Sequence, residues 1–319
     1  MSLLRPEVTS LVLGSADLWP ALAGSRIFLT GASGFFGCWL LETLLFASDH
    51  FELGVEVVAL TRTPDRFLSK APHLAGHPRV TLWPGDMQDF SLPPGSFSHI
   101  IHGAAEVNSD MGLLAGGKRV LELESERFLL ISSGAVYGPA AGFISEEHPA
   151  SPTTDYGRAK LQLEQACNPR AVIARCFTFL GPYLSLHSGL AAADFLGDTL
   201  ACRPLKLQSN GETRRSYLYA GDLAIWLWTL LLRGIPGRSY NVGSMDAIPV
   251  IELARRIAGP NPVQVLGKEA GSDYLPDTTR ARQELDLRQT VELDEAVART
   301  WNWLEQQGSR VPIPGIEYL

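Results

Sequence analysis

Arg26-Ile27-Phe28-Leu29-Thr30-Gly31-Ala32-Ser33-Gly34-Phe35-Phe36-Gly37-Cys38-Trp39-Leu40 reads as a strand, a tight glycine turn and a helix. The apolar run from Ile27 to Leu29 suits a strand buried on both faces, and glycines at 31, 34 and 37 suit a turn that brings bare backbone close to a ligand. The first N–H groups of the helix that follows have no partner in the chain and carry the positive end of its dipole. A pyrophosphate at that point satisfies both. Three spaced glycines also occur in loops that bind nothing, so the flanking sequence has to decide.

Outward from this turn, apolar positions continue through three helical turns at 36–46, and β-branched or apolar runs at 55–60, 80–82, 99–102, 128–132 and 172–174 predict further strands. Strands alternating with helical segments predict an α/β chain with right-handed crossovers and a parallel sheet. Beyond Gly181-Pro182 the alternation loosens, and helices are predicted at 190–201, 222–232, 250–257 and 293–306 between Pro- and Gly-rich connections. A short amphipathic helix is predicted at 17–22.

The 319 residues carry a net charge of −7, which argues against nucleic acid or an anionic membrane as partner. Cys38, Cys167, Cys176 and Cys202 lack metal-site or disulfide spacing and read as free thiols of a reducing, cytoplasmic compartment. The start of the chain does not read as a signal peptide, and no apolar run is long enough for a membrane span.

The second predicted strand ends Leu60-Thr61-Arg62-Thr63, without the acidic residue that would bind both ribose hydroxyls of NAD. Arg62 suits a 2′-phosphate, which favours NADP(H) and leaves NAD(H) open. Asp86, followed by Met87, is placed for an adenine amino group or for a simple turn. The small residues after His102, including Ala104 and Ala105, let backbone approach the cofactor or serve packing alone. Tyr156 and Lys160 stand four apart on one helical face, and a nearby ammonium lowers a phenol's pKa towards working pH, giving a general acid/base. Ser133, in Ser132-Ser133-Gly134-Ala135-Val136-Tyr137-Gly138, would hold the same substrate oxygen.

Taken in order, Thr30-Gly31-x-x-Gly34-x-x-Gly37, His102-x-Ala104-Ala105, Ser132-Ser133-x-x-Val136-Tyr137-Gly138, Tyr156-x-x-x-Lys160, Arg175-x-Phe177, Arg215-Ser216-Tyr217 and Tyr240-Asn241-Val242-Gly243 resemble the extended short-chain dehydrogenases/reductases. Within these the chain is similar to the NAD(P)-dependent epimerase/dehydratase family, whose members act mostly on nucleotide-sugars. The resemblance implies a Rossmann-type doubly wound parallel sheet with a smaller, discontinuous C-terminal substrate lobe. It implies an N-terminal extension at 1–25, a dinucleotide-binding domain at 26–181 with 221–245, and a substrate lobe at 182–220 with 246–319. Tyr156 would be the acid/base, Lys160 the ligand of the nicotinamide ribose and Ser133 the orienting hydroxyl. Gly31, Ser33, Gly34, Phe35, Phe36, Gly37, Arg62, Asp86, Met87, His102, Ala104 and Ala105 would line the cofactor. Arg215 would grip a nucleotide-sugar diphosphate, unless it forms a salt bridge between lobes, with Thr178 and Glu106 also on the substrate side.

The chain also departs from this pattern. Dehydratases of the family usually carry an acidic pair after the serine or threonine, and the decarboxylases a glutamate, where Gly134 and Ala135 stand here. Elimination of water needs an acid and a base besides the tyrosine, so epimerase or 4-ketoreductase ranks above dehydratase. Leu114 and Thr178 replace two customary asparagines. Only 31 positions separate His102 from Ser133 and 15 separate Lys160 from Arg175, shortening the helices through which relatives dimerise. A monomer, a weak dimer or a differently arranged oligomer is the expectation. A reductase of a non-sugar carbonyl and a low-activity scaffold relative are the alternatives.

Overall fold

The computed structural model describes residues 2–104, 110–186 and 188–308, without the side chains of 110–113. Seven strands form its central sheet: β1 (Arg26–Thr30), β2 (Glu56–Thr61), β3 (Val80–Pro84), β4 (Phe97–His102), β5 (Ser125–Ser133), β6 (Val172–Cys176) and β7 (Ser239–Val242). All pair in parallel, in the order β7-β6-β5-β4-β1-β2-β3. The predicted strands are therefore present, and β7 is an addition that the pattern around Tyr240 does not announce. Strand order reverses between β1 and β4, and the carboxyl ends of strands at such a switch point open a crevice.

β1 shows why the sheet is covered on both faces. Ile27 and Leu29 enter one core and Phe28 the other, as the two-residue period of a strand requires. On the first face lie α2 (Phe35–His50) and α5 (Ala220–Arg233). The indoles between them keep their N–H groups satisfied: Trp228 Nε1 donates to Thr43 Oγ1 at 3.0 Å and Trp39 Nε1 to the Pro182 carbonyl at 2.9 Å. On the second face lie α3 (Asp110–Val120) and α4 (Asp155–Cys167). They pack so closely that a Cβ on Gly117 would stand 2.4 Å from Leu163.

Before β1, a 10-residue helix, α1 (Arg5–Gly14), precedes the 3-10 turn Trp19–Leu22, where one short helix at 17–22 was expected. Val8 and Val12 bury its inner side. Glu7 accepts from the Tyr219 hydroxyl and from Arg299 Nη1, both at 3.0 Å, which ties α1 to α6 (Leu293–Gln306).

Short strands outside the central sheet build a roof over the carboxyl ends of its strands. Arg214–Ser216 pairs antiparallel with Ala247–Pro249, and a lone bridge joins Arg215 to Tyr274. Phe143–Ile144 pairs with Leu275–Pro276, which brings the segment around 274 back over the end of β5.

Candidate active site

The glycine turn is built by close backbone approach. Gly31 has φ +76°, and a Cβ on it would stand 2.8 Å from the Gly103 carbonyl at the end of β4. A Cβ on Gly37 would lie 2.3 Å from the Gly31 carbonyl oxygen. Gly34 caps α2 with no side chain on the first helical N–H groups, so a 16-residue helix presents its positive end uncovered. The cradle therefore fits a dinucleotide pyrophosphate. Phe35 lies against Phe36, whose ring meets Phe179 edge-on at 5.1 Å, and the Ser33 carbonyl accepts from Lys70 Nζ at 2.7 Å. Lys70 carried no signal in the sequence beyond being a lysine.

Thr30 locks β1 to β4. Its hydroxyl accepts from Gly103 N and Ala104 N at 3.2 and 3.1 Å and meets His102 Nδ1 at 2.7 Å. With both lone pairs taken, its proton goes to Nδ1, which leaves the hydrogen of neutral His102 on Nε2. Burial, helped by the Lys160 charge, draws that imidazole's pKa down to about 3. At the end of β2, Arg62 Nη1 lies 3.8 Å from Asp86 Oδ2, and Asp86 Oδ1 also accepts from Gln88 N at 3.0 Å, the local turn bond. Met87 packs against Gly116 of α3. Ala105 and Glu106 lie outside the described residues.

Ser133 ends β5 and Tyr156 and Lys160 stand on α4, whose first turn is capped by Thr154 accepting from Gly157 N at 3.1 Å. A Cβ on Gly157 would lie 2.6 Å from the Ala135 carbonyl, so glycine lets α4 press onto the turn after Ser133. Ser133 Oγ accepts from Ala135 N at 3.1 Å and lies close enough to the Tyr156 phenol to oppose the rise of its pKa. Lys160 Nζ lies 5.8 Å from the centre of the Tyr156 ring and donates to the Ile131 carbonyl at 2.8 Å.

The electrostatics differ from the expectation that Lys160 lowers the phenol. Burial pushes the Tyr156 phenol above its ordinary value, opposed by the nearby Ser133 hydroxyl. Lys160 is itself buried, and that burial draws it down to about 8. One of its three N–H donors is given to the Ile131 backbone carbonyl.

Behind the triad, Ser132 Oγ donates to Glu164 at 2.5 Å and Arg175 grips the same carboxylate through Nε and Nη2, the latter at 2.7 Å. Arg175 also stacks on Tyr137, whose hydroxyl donates to Asn241 at 2.8 Å. These contacts join β5, α4, β6 and β7 directly beneath the reacting groups.

On the substrate side, Arg215 Nη1 donates to the carbonyls of Arg214 and Ser272, each at 2.8 Å, and its guanidinium sits 5.8 Å above the Tyr274 ring. Among the described residues it forms no salt bridge; Asp273 is held by Arg214 instead. Burial lowers its pKa. Thr178 donates its hydroxyl proton to the Ser216 carbonyl, so only its lone pairs face a ligand. Tyr274, which the sequence did not single out, brings its hydroxyl 3.4 Å from Ser133 Oγ.

A topological switch point, an uncapped helix start and Ser133, Tyr156 and Lys160 gathered where β5 meets α4 are the features of a dinucleotide-dependent enzyme. The chain belongs to the NAD dependent epimerase/dehydratase family, whose model matches residues 27–243, and is an oxidoreductase-type enzyme of that family. It is 24% identical to UDP-glucuronic acid decarboxylase 1 of Arabidopsis thaliana over 86% of this chain and 68% of the relative. It is also 24% identical to dTDP-glucose 4,6-dehydratase of Streptomyces griseus, over 89% and 95%. Among solved structures, an epimerase of Methanothermobacter thermautotrophicus superposes with a TM-score of 0.78 at 24% identity, covering 91% and 95% of the two chains. UDP-glucuronic acid 4-epimerase of Bacillus cereus, solved with UDP-glucuronic acid and NAD, gives 0.75 at 22%, covering 88% and 99%. These likenesses establish the Rossmann-type fold. No helix among the described residues is long and apolar enough to cross a membrane.

Proposed function

We propose that this enzyme is a nucleotide-sugar epimerase or 4-ketoreductase, with 26–181 and 221–245 holding the cofactor and 182–220 and 246–319 the sugar nucleotide. The observation that carries the reading is Ser133 beside Tyr156 and Lys160 with only Gly134 and Ala135 after it, an acid/base site without the extra carboxylates that elimination requires. Arg215, half-buried and paired with carbonyls alone, supports an anionic ligand such as the diphosphate.

Bound nicotinamide supplies reversible hydride acceptance at the sugar carbon. Tyr156 handles the proton: its oxygen takes it from the sugar hydroxyl as the ketone forms and returns it as the alcohol is restored. Ser133 donates to the same sugar oxygen, and Lys160 faces the ribose side.

NADP(H) is the preferred cofactor in this reading, supported by Arg62 at the end of β2 and Lys70 on the Ser33 carbonyl. The Asp86 carboxylate beside Arg62 supports NAD(H) as the second reading. Incubation with nucleotide-sugars and their 4-keto derivatives, following product and nicotinamide absorbance together, tests the proposal. Product without net cofactor change identifies an epimerase and stoichiometric oxidation a reductase. Loss of water to a 4-keto-6-deoxy product would overturn both.

A further inference from the structure

Three successive residues at the end of β5 each face one of three residues spaced a turn apart on α4. The Ile131 carbonyl accepts from Lys160 Nζ at 2.8 Å, Ser132 Oγ donates to Glu164 at 2.5 Å, and the Ser133 hydroxyl lies beside the Tyr156 phenol. Arg175, opposite Ser132 in the pairing of β5 with β6, completes the set by gripping both oxygens of Glu164. The carboxylate thus takes donors from two neighbouring strands while standing one helical turn from Lys160. Lys160 and Glu164 are 2% and 4% exposed, so their charges act on one another with little screening.

Of the groups around Lys160 among the described residues, burial pushes the Cys167 thiol up to about 12, raises the Cys176 thiol and the Tyr156 phenol, and keeps His102 neutral. Arg175 is a second cation, already neutralised by Glu164. Glu164 is therefore the anion that balances the buried ammonium, and it opposes the fall that burial imposes on Lys160. An ion pair kept for stability alone can be replaced by apolar side chains; this one is fastened to the residue next to Ser133. We infer that Glu164 is a positioning residue of the reaction: clamped by Ser132 and Arg175, it sets α4 on β5 and keeps the Lys160 ammonium seated at its carbonyl beside Tyr156. The inference rests on the roles of Tyr156 and Lys160 proposed above.

The chain has five lysines, so carbon-13 at lysine Cε lets NMR follow Lys160 in the cofactor-free protein, its signal assigned by its absence from Lys160→Arg. Glu164→Gln keeps the shape and an oxygen acceptor and removes the charge. With folding checked by melting temperature, it is expected to move the Lys160 titration, about pH 8 in the wild type, down by about one unit or more. For the nucleotide-sugar, kcat should fall about tenfold at neutral pH with its alkaline limb shifted the same way, while KM stays within about twofold. A Lys160 titration or a kcat profile that Glu164→Gln leaves in place overturns the inference. In that event an inactive Tyr156→Phe keeps the functional reading, and a fully active one ends that reading too. Should Glu164→Gln not fold, Ser132→Ala decides, since it keeps the charge and removes one bond to it. A wild-type kcat then overturns the inference; a kcat about threefold lower at unchanged KM, restored by Ser132→Thr, supports it.

Discussion

Thr30 Oγ1 and His102 Nδ1, 2.7 Å apart, hold the glycine turn against the end of β4 only while the imidazole is neutral. A proton on Nδ1 would face a hydroxyl whose lone pairs already serve Gly103 and Ala104. In the fold burial holds this imidazole's pKa at about 3, below its ordinary 6.5. The unfolded chain therefore binds a proton that the fold refuses, and stability present above pH 6.5 is lost as pH falls towards 3. The slope from this group is at most about 1.4 kcal/mol per pH unit. Urea denaturation across that window measures it, and His102→Gln should flatten the curve.

Tyr156→Phe removes the proton carrier and little volume. Turnover of any accepted nucleotide-sugar should fall by roughly three orders of magnitude, within the range ascribed to general acid–base catalysis. Cofactor affinity, followed by fluorescence, should remain close to wild type because the turn at Gly31 to Gly37 is untouched.

Glu164 neutralises Arg175 in a buried setting. Glu164→Leu leaves a guanidinium facing apolar surroundings, and the expected cost is about 3–5 kcal/mol in a denaturant titration. Replacing Arg175 and Glu164 together by apolar residues of similar volume should recover much of that loss.

Arg62→Ala should weaken NADP⁺ binding by about tenfold and leave NAD⁺ nearly unchanged, since only the former places a phosphate by that side chain. Equal effects on the two cofactors in calorimetry would reverse the assigned preference. Asp86→Ala, by releasing Arg62, should sharpen the preference for NADP⁺.

Light scattering should find a monomer or a weak dimer. Among the described side chains of α3 and α4, the exposed ones are Ala115, Lys118, Asp155, Arg158, Gln162, Gln165 and Ala166, with no large apolar residue among them. Such a face gives little apolar area to a stable interface. A tight dimer closed through α3 and α4 would contradict the expectation.

What the sequence discloses here is what short-range geometry encodes. The glycines at 31, 34 and 37 and the four-residue step from Tyr156 to Lys160 have their meaning within one turn or one helix, so they were legible before any coordinates. The direction of the Lys160 ammonium was not, because it depends on Ile131, 29 positions away, and on burial that no local pattern measures. Tyr274 was hidden for the same reason: it meets Ser133 across 141 positions, through strand pairs of two or three residues with no periodic signature. α1 escaped notice because its apolar positions form no continuous stripe, and β7 because it spans four residues.

The Glu7 contacts with Tyr219 and Arg299 carry a consequence for the order of assembly. Residues 292 positions apart close the longest loop of these contacts, and the expectation is that this clasp forms late and contributes little to the folding barrier. Interactions formed after the barrier slow unfolding rather than speed folding. The amides of α1 should accordingly exchange with deuterium ahead of those in β1, and loosening Glu7 should shorten the lifetime of the folded state while leaving the refolding rate almost unchanged.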